Sequence, residues 1–287
     1  MAALDAAAVD AEVVVAGAGA AGLLCAATAA QRGRRTVLLE KGARPGLKIL
    51  ISGGGRCNVT TTRSGSDLER QYGERRGRFL RHALRNLPPT AVRALFLELG
   101  VPLVEEDLEK LFPVSQQARD VLDALLKHAE RSGAELQCSR PVTGVEHDGA
   151  AFVVATPRGT LRTQSLVLAT GGRSYAKTGA TGDGYALLRA FGHTITETLP
   201  ALAPLRVDAS WVRELQGIVL RGVEIAVVDG SGRIGLRRRR PVLFTHKGLS
   251  GPAPMDLAGD LEELLAHGAA QVRLDFAPDR DAAAIEA

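Results

Sequence analysis

Apolar positions first gather at Glu12–Ala16, where Val13, Val14 and Val15 form an unbroken run typical of a strand covered on both faces. Six small residues follow (GAGAAG, Gly17 to Gly22). The Ala- and Leu-rich stretch LLCAATAAQR comes next, with Gly33 just beyond it, which predicts a helix closed by a left-handed glycine. Thr36–Glu40 (TVLLE) predicts a second buried strand, completing a strand–helix–strand unit. From Arg44 to Thr62 the periodicity is lost in a Gly-rich stretch, RPGLKILISGGGRCNVTTT. Helical spacing returns over Gly77–Leu99, interrupted by Pro88 and Pro89, and again over Gln116–Ser132. Between these, VPLVEED predicts a strand.

Short strands are expected at Leu136–Cys138, Pro141–Glu146, Ala151–Thr156 and Thr160–Arg162. A separate one, Ser165–Ala169, ends abruptly in Thr170, Gly171 and Gly172. After LPALAPL the pattern turns strand-rich: Gly217–Val228, VLFT and VRLDF. The expected organisation is a tail over residues 1–10, an α/β domain over 11–198 and a β-rich domain over 199–287. The acidic, Ala-rich end of the sequence reads as the start of a helix. No internal repeat is visible.

Composition narrows the classes. The chain has 287 residues, of which 45% are hydrophobic and 24% charged, which excludes wholesale disorder and collagen-like structure. Cys25, Cys57 and Cys138 are odd in number and widely spaced, so a reducing compartment is expected, with no structural metal site. The first ten residues hold Asp5 and Asp10 and no Lys or Arg, unlike a secretory leader. No apolar run approaches the roughly 20 residues needed to cross a bilayer. A soluble cytoplasmic protein without a membrane partner is therefore expected. The net charge of +4 is weak for a nucleic-acid binder. The run Arg237–Arg240 lacks interleaved aromatics and reads as a solvated hairpin, so no nucleic-acid partner is expected either.

The candidate chemistry begins at GAGAAG, a G-x-G-x-x-G fingerprint in the strand–turn–helix setting that gives it meaning. Gly17 permits the tight turn, Gly19 lets a pyrophosphate approach the backbone, and Gly22 lets helix and strand pack closely. Ala20 and Ala21 place their N–H groups at the positive end of the helix, where phosphate is favoured. Glu40, beside Lys41 at the end of the second strand, is set to accept hydrogen bonds from the ribose hydroxyls of an adenosine. A carboxylate there repels a 2′-phosphate, so NAD or FAD is favoured over NADP at this site. The fingerprint alone leaves NAD and FAD open.

The stretch Lys48–Asn58 points to FAD. Ser52, Gly53, Gly54 and Gly55 expose backbone N–H groups, while Lys48 and Arg56 are expected to bring positive charge toward a pyrophosphate. Cys57 reads as a small residue packed close to the cofactor rather than a redox thiol. Thr170, Gly171 and Gly172 offer a second close backbone approach at a strand end, and Val142 joins the expected cofactor set. Such paired features suit a Rossmann-like FAD-binding domain of the two-dinucleotide-binding type.

VVVAGAGAAGLLCAATAAQRGRRTVLLEKGARPGLKILISGGGRCNVTT resembles the amino-terminal signature of the BaiN-like NAD(P)/FAD-dependent oxidoreductases, also called the aminoacetone-oxidase family. LFPVSQQARDVLDALL, LVLATGG, TGATGDGYALLRAFGHTI and LFTHKGLSGPA extend the resemblance from Glu12 to about Leu257. The resemblance implies an FAD-binding domain with a β-rich insert domain, here partly present because the family pattern continues past Ala287. It also implies flavin redox chemistry, including reduction of double bonds conjugated to a ketone in bile-acid-like steroids. NAD(P)H is the expected electron donor and a small molecule the expected substrate. A non-catalytic nucleotide-binding remnant and an oxygen-using amine oxidase are the alternatives.

Double-bond reduction also needs a proton donor. His246, in FTHKGLSG, and Tyr175, just beyond Gly172, are the candidates, each with an equally good packing role. Asp183, in TGATGDGY, suits either capping a helix or facing the flavin edge, and capping is the expectation.

Overall fold

The computed structural model describes residues 9–280. Residues 1–8 of the expected tail and the helix expected at the end of the sequence lie outside them. The chain divides into two compact units, Met1–Ile195 and Thr196–Ala287.

The first unit is built on β1 (Ala11–Ala16), α1 (Ala20–Gln31) and β2 (Thr36–Leu39); the strands fall within a residue of the expected positions, while the helix starts three residues before the expected Leu23. The glycine stretch then forms a short helix, α2 (Leu47–Ile51), and a tight turn at Ser52–Gly55. There follow β3 (Thr60–Thr61), helices α3 (Gly65–Gln71), α4 (Glu74–Asn86) and α5 (Pro89–Glu98), the hairpin strands β4 (Leu103–Glu106) and β5 (Lys110–Pro113), and α6 (Ala118–Arg131). The unit closes with β6 (Glu135–Gln137), β7 (Gly144–His147), β8 (Phe152–Thr156), β9 (Gly159–Leu168) and α7 (Asp183–Ala190).

The main sheet has the order β6-β2-β1-β9-β8-β7. Strands β6, β2, β1 and β9 run parallel, while β8 and β7 form an antiparallel edge. The two strands expected at Thr160–Arg162 and Ser165–Ala169 are one. The first half of β9 pairs with β8, as in Phe152↔Thr163, and the second half with β1, as in Val15↔Val167. Thr163, fully buried at the changeover, pairs with both Phe152 and Ala11, and its Oγ1 donates to the Ser165 carbonyl (3.0 Å).

Alternation sorts the strand side chains to two faces. Val15 and Leu38 pack with Leu23 and Ala27 of α1 and Val121, Leu122 and Leu125 of α6. Val14, Val37 and Leu39 pack with Val154 and Leu161 on the other face. Leu122 is 1% exposed, and truncating such a side chain costs about 2–5 kcal/mol.

The second unit is strand-rich as expected. It holds β10 (Leu205–Arg206), α8 (Ser210–Glu214), β11 (Val219–Leu220), β12 (Glu224–Asp229), β13 (Ile234–Arg239), β14 (Val242–Thr245), β15 (Gly248–Ser250), α9 (Pro252–Leu265) and β16 (Ala270–Asp275). Two antiparallel sheets, β10-β15-β14-β11 and β13-β12-β16, share a core in which Ala253, Leu257 and Ala258 of α9 meet Ile225, Val242, Phe244 and Leu249. Helix α9 goes beyond the strand pattern read there. The stretch expected as one strand over Gly217–Val228 breaks at Gly222 (φ 80°) into β11 and β12.

The β7–β8 turn contains an acid whose titration is measurable. Asp148 accepts from the Ala150 and Ala151 N–H groups (3.0 and 2.9 Å) and pairs with Arg162 (2.7 Å). These bonds hold its pKa at about 2, below the ordinary 3.8. A depressed carboxylate contributes stability above the unfolded value and loses it as pH falls through the folded one. Asp148→Asn should therefore lower Tm at pH 7, and the gap from wild type should close between pH 4 and pH 2, as read by thermal unfolding at each pH.

Candidate functional site

Backbone contact around the three fingerprint glycines sets the site. Gly17 has φ 106°, and a Cβ there would stand 2.5 Å from the Ala169 carbonyl oxygen. A Cβ on Gly22 would overlap the Gly17 carbonyl itself. Gly19 differs: nothing lies within 4 Å of where its Cβ would be. It stands at the N-cap of α1, which has no side-chain cap, so the first N–H groups of the helix face open space.

Glu40 closes the rim. Its Oε2 accepts from Ala18 N–H (2.9 Å) and its Oε1 from Gly42 N–H (2.8 Å), so the carboxylate is aimed at the strand-to-helix bend. Each oxygen keeps lone-pair capacity for another donor. The Gly46 N–H reaches the Ala18 carbonyl (3.0 Å) and the Arg140 N–H the Glu40 carbonyl (2.9 Å), tying both flanking loops to the same corner.

A cavity of about 550 Å³ opens over this corner. Its wall contains Gly17, Gly19, Ala20, Ala21, Glu40, Lys41, Lys48, Ser52, Cys57, Asn58, Val142, Thr170 and Gly171 from the expected set. Gly22 lies beneath it, packed on Gly17. Gly53, Gly54, Gly55 and Gly172 are outside the wall. Gly53 and Gly54 take left-handed φ values (57° and 71°), which turn the chain sharply instead of laying it along the cavity.

Three charged side chains have partners that the sequence reading did not include, although Lys48 and Asp183 stay in the cavity wall. The Arg56 guanidinium does not reach toward a pyrophosphate: it pairs with Glu106 (2.8 Å), bonds Gln116 (2.9 Å) and lies over the Phe112 ring at 4.2 Å. The Lys48 ammonium donates to the Ser174 carbonyl and hydroxyl. Asp183 makes no cap at α7. It pairs with Lys41 (2.6 Å) and accepts from Thr181 (2.6 Å), bonds that hold its carboxyl below the usual range.

Burial pushes the Cys57 thiol up, only partly offset by Ser52, so at neutral pH it is a protonated small residue in the wall. Tyr175 is 73% exposed and outside the wall. His246 belongs to the second unit, exposed at the turn between β14 and β15. The sequence reading missed the apolar side of the cavity, where Phe96 of α5 and Val121 and Leu125 of α6 stand. The helical spacing over Gln116–Ser132 marked those last two as core residues without showing that the core borders a cavity.

A parallel sheet with β2 and β9 flanking β1, a glycine bend and an acid at the end of β2 define a Rossmann-like, dinucleotide-binding α/β protein. Residues 11–260 match the family profile described as "HI0933-like protein Rossmann domain", and the chain belongs to that family. The fold is that of FAD-binding Rossmann oxidoreductases with added antiparallel sheets. Among curated relatives, the ribosomal RNA dihydrouridine synthase of Escherichia coli K12 is 34% identical over 86% of this chain and 60% of its own length. The 3-dehydro-bile acid delta(4,6)-reductase of Clostridium scindens is 27% identical over 94% of this chain and 65% of its own. The chain thus spans about three-fifths of the curated relatives it matches. A flavocytochrome c3 fumarate reductase shares the fold, with a TM-score of 0.51 at 17% identity over 77% of this chain and 53% of that one. No described helix is long and apolar enough to cross a membrane.

The glycines make opposite predictions. Gly22→Ala should lower stability by about 2 kcal/mol or more, because backbone must move. Gly19→Ala should change it by less than about 1 kcal/mol, since its Cβ meets only open space. Denaturant unfolding of both variants checks the contrast.

Proposed function

We propose that the first unit binds FAD in this cavity and forms the cofactor half of a reductase acting on a carbon–carbon double bond conjugated to a carbonyl. The carrying observation is the open space at Gly19, over an uncapped helix N-terminus, with the Glu40 carboxylate on the same rim. The chain's own groups fit the cofactor. The N–H groups of Ala20 and Ala21 would hold the pyrophosphate, and Glu40 the adenosine ribose. The wall formed by Cys57, Val142 and Phe96 would exclude water from the rest. Lys41 and Asp183, paired across the rim, would keep the start of α7 against the end of β2.

When bound, FAD would supply hydride-transfer chemistry between a nicotinamide nucleotide and the substrate. The two activities named for the relatives share one chemistry. A uracil ring carries a C5=C6 bond conjugated to its C4 carbonyl, and a 3-dehydro delta(4,6) steroid carries double bonds conjugated to its 3-ketone. The dihydrouridine synthases are the more similar in sequence, at 34% and 30%, which favours the uracil ring. Neither Tyr175 nor His246 is carried into the proposal, which rests on the binding residues.

Purified protein incubated with FAD should retain an absorbance band near about 450 nm after desalting. Gly19→Ala should lose that band while keeping its fold. The band should bleach anaerobically under NADH or NADPH. Bleaching under an amine instead would make the protein an amine oxidase, and a wild-type protein that never holds the band would refute the proposal.

A further inference from the structure

Most polar side chains in the cavity wall are already bonded within the protein. Glu40, Lys48 and the Lys41–Asp183 pair are engaged at its edge. Ser52 meets the Cys57 thiol, Arg140 donates to Thr156 (3.0 Å) and Thr178 to the Tyr175 carbonyl (2.8 Å). Among the described residues, three polar side chains of the wall have no partner: Arg44, Asn58 and Thr170. Two of them stand at the fingerprint end. Arg44 lies between Gly42, whose N–H reaches Glu40, and Gly46, whose N–H reaches the Ala18 carbonyl. The Cα of Thr170 would stand 3.0 Å from a Cβ on Gly17. Asn58 is placed differently. It leads into Val59 and β3, which packs against α5, the helix whose Val92 and Phe96 form part of the apolar side of the cavity.

The backbone at Asn58 is fixed from several directions. A Cβ on Gly53 would stand 2.8 Å from the Asn58 nitrogen, and the Val59 N–H reaches the Leu111 carbonyl (2.8 Å). Cys57 is buried in a left-handed conformation (φ 66°), which a residue with a side chain keeps only where its surroundings enforce it. Arg56 supplies that enforcement. Its guanidinium is clasped by Glu106 and Gln116 and lies over the Phe112 ring, and the same ring would meet a Cβ on Gly53 at 2.9 Å. The turn is thus closed around Phe112, outside the cavity wall, and presents one free carboxamide inside it.

A carboxamide carries an acceptor and two donor hydrogens side by side. The pyrimidine ring of a flavin offers the complement, an N3–H between two carbonyls. A pyrophosphate has no donor to offer and belongs at the helix N-terminus beside Gly19, whereas a flat ring system suits the apolar side. We propose that Asn58 pairs with the pyrimidine edge of the flavin, Oδ1 accepting from N3–H and Nδ2 donating to an adjacent carbonyl, with Arg56 as its positioning residue. This rests on the FAD reading above and assigns the end of the cavity that receives the flavin.

Fluorescence titration of the full chain with FAD and with FAD methylated at the flavin N3, beside calorimetric titration with ADP, tests it. Wild type should bind the methylated cofactor about tenfold more weakly than FAD, the effect of losing two hydrogen bonds. Asn58→Ala should bind FAD about tenfold more weakly than wild type, lose the preference for the unmethylated form and keep its affinity for ADP. Arg56→Met should show the same pattern, with Glu106→Ala in its place if Arg56→Met does not fold. Equal weakening of FAD and ADP in Asn58→Ala overturns the contact, as does a wild type indifferent to N3-methylation. A preference for unmethylated FAD that survives loss of the clasp overturns the positioning role. Flavin held equally by wild type and Asn58→Ala refutes this contact alone, whereas a wild type that binds ADP and no flavin refutes the cofactor reading itself.

Discussion

The absence of a side chain at Gly22 is what lets α1 lie directly on the bend that leaves β1. Its Cα faces the Gly17 carbonyl, and Gly17 in turn faces the backbone at Ala169, so helix, bend and the end of β9 are in mutual contact. With those three fixed, the N-terminus of α1 has one place to point, and Gly19 is left over open space. The carboxylate of Glu40 then secures the corner by accepting from N–H groups on either side of it. Close packing below and vacancy above come from the same residue type used in two ways.

Much of this was legible in the sequence, because the signals are local. The run of valines, the spacing of three glycines and the acid ending β2 each act within a few residues, and the unit they predict forms with strand boundaries shifted by at most one residue and the helix start by three. What escaped depends on distant partners. Arg56 reads as a free cation beside three glycines, yet Glu106, 50 residues on, and Gln116, 60 on, draw it away. Asp183 reads as a helix cap until Lys41, 142 residues earlier, claims it. The continuity of β9 was hidden because its two halves answer to different neighbours, which gives the one strand two hydrophobic patterns.

Charge is handled differently in the two units. In the second, the arginine run is matched by carboxylates, Arg237 by Glu224, Arg239 by Asp279 and Arg240 by Asp256. In the first, the excess positive charge is concentrated on α4, which the buried Glu69 pins to α3 through Arg81. At the cavity, Lys41 and Lys48 are both engaged at its edge, Arg44 and Arg140 also stand in its wall, and the N–H groups at the start of α1 add to the pull on an anion.

Strand β9 also imposes an order on assembly. Strands β1 and β2 can meet as soon as the chain has passed Leu39, but the other side of β1 stays bare until Leu168 has been made. On a ribosome, the glycine bend would emerge long before the strand that braces it, and a nascent chain would hold that bend half-supported through most of the first unit's synthesis. Long-range parallel pairing of this kind is slow to form. The bend is braced on both sides of β1 only once β9 is in place.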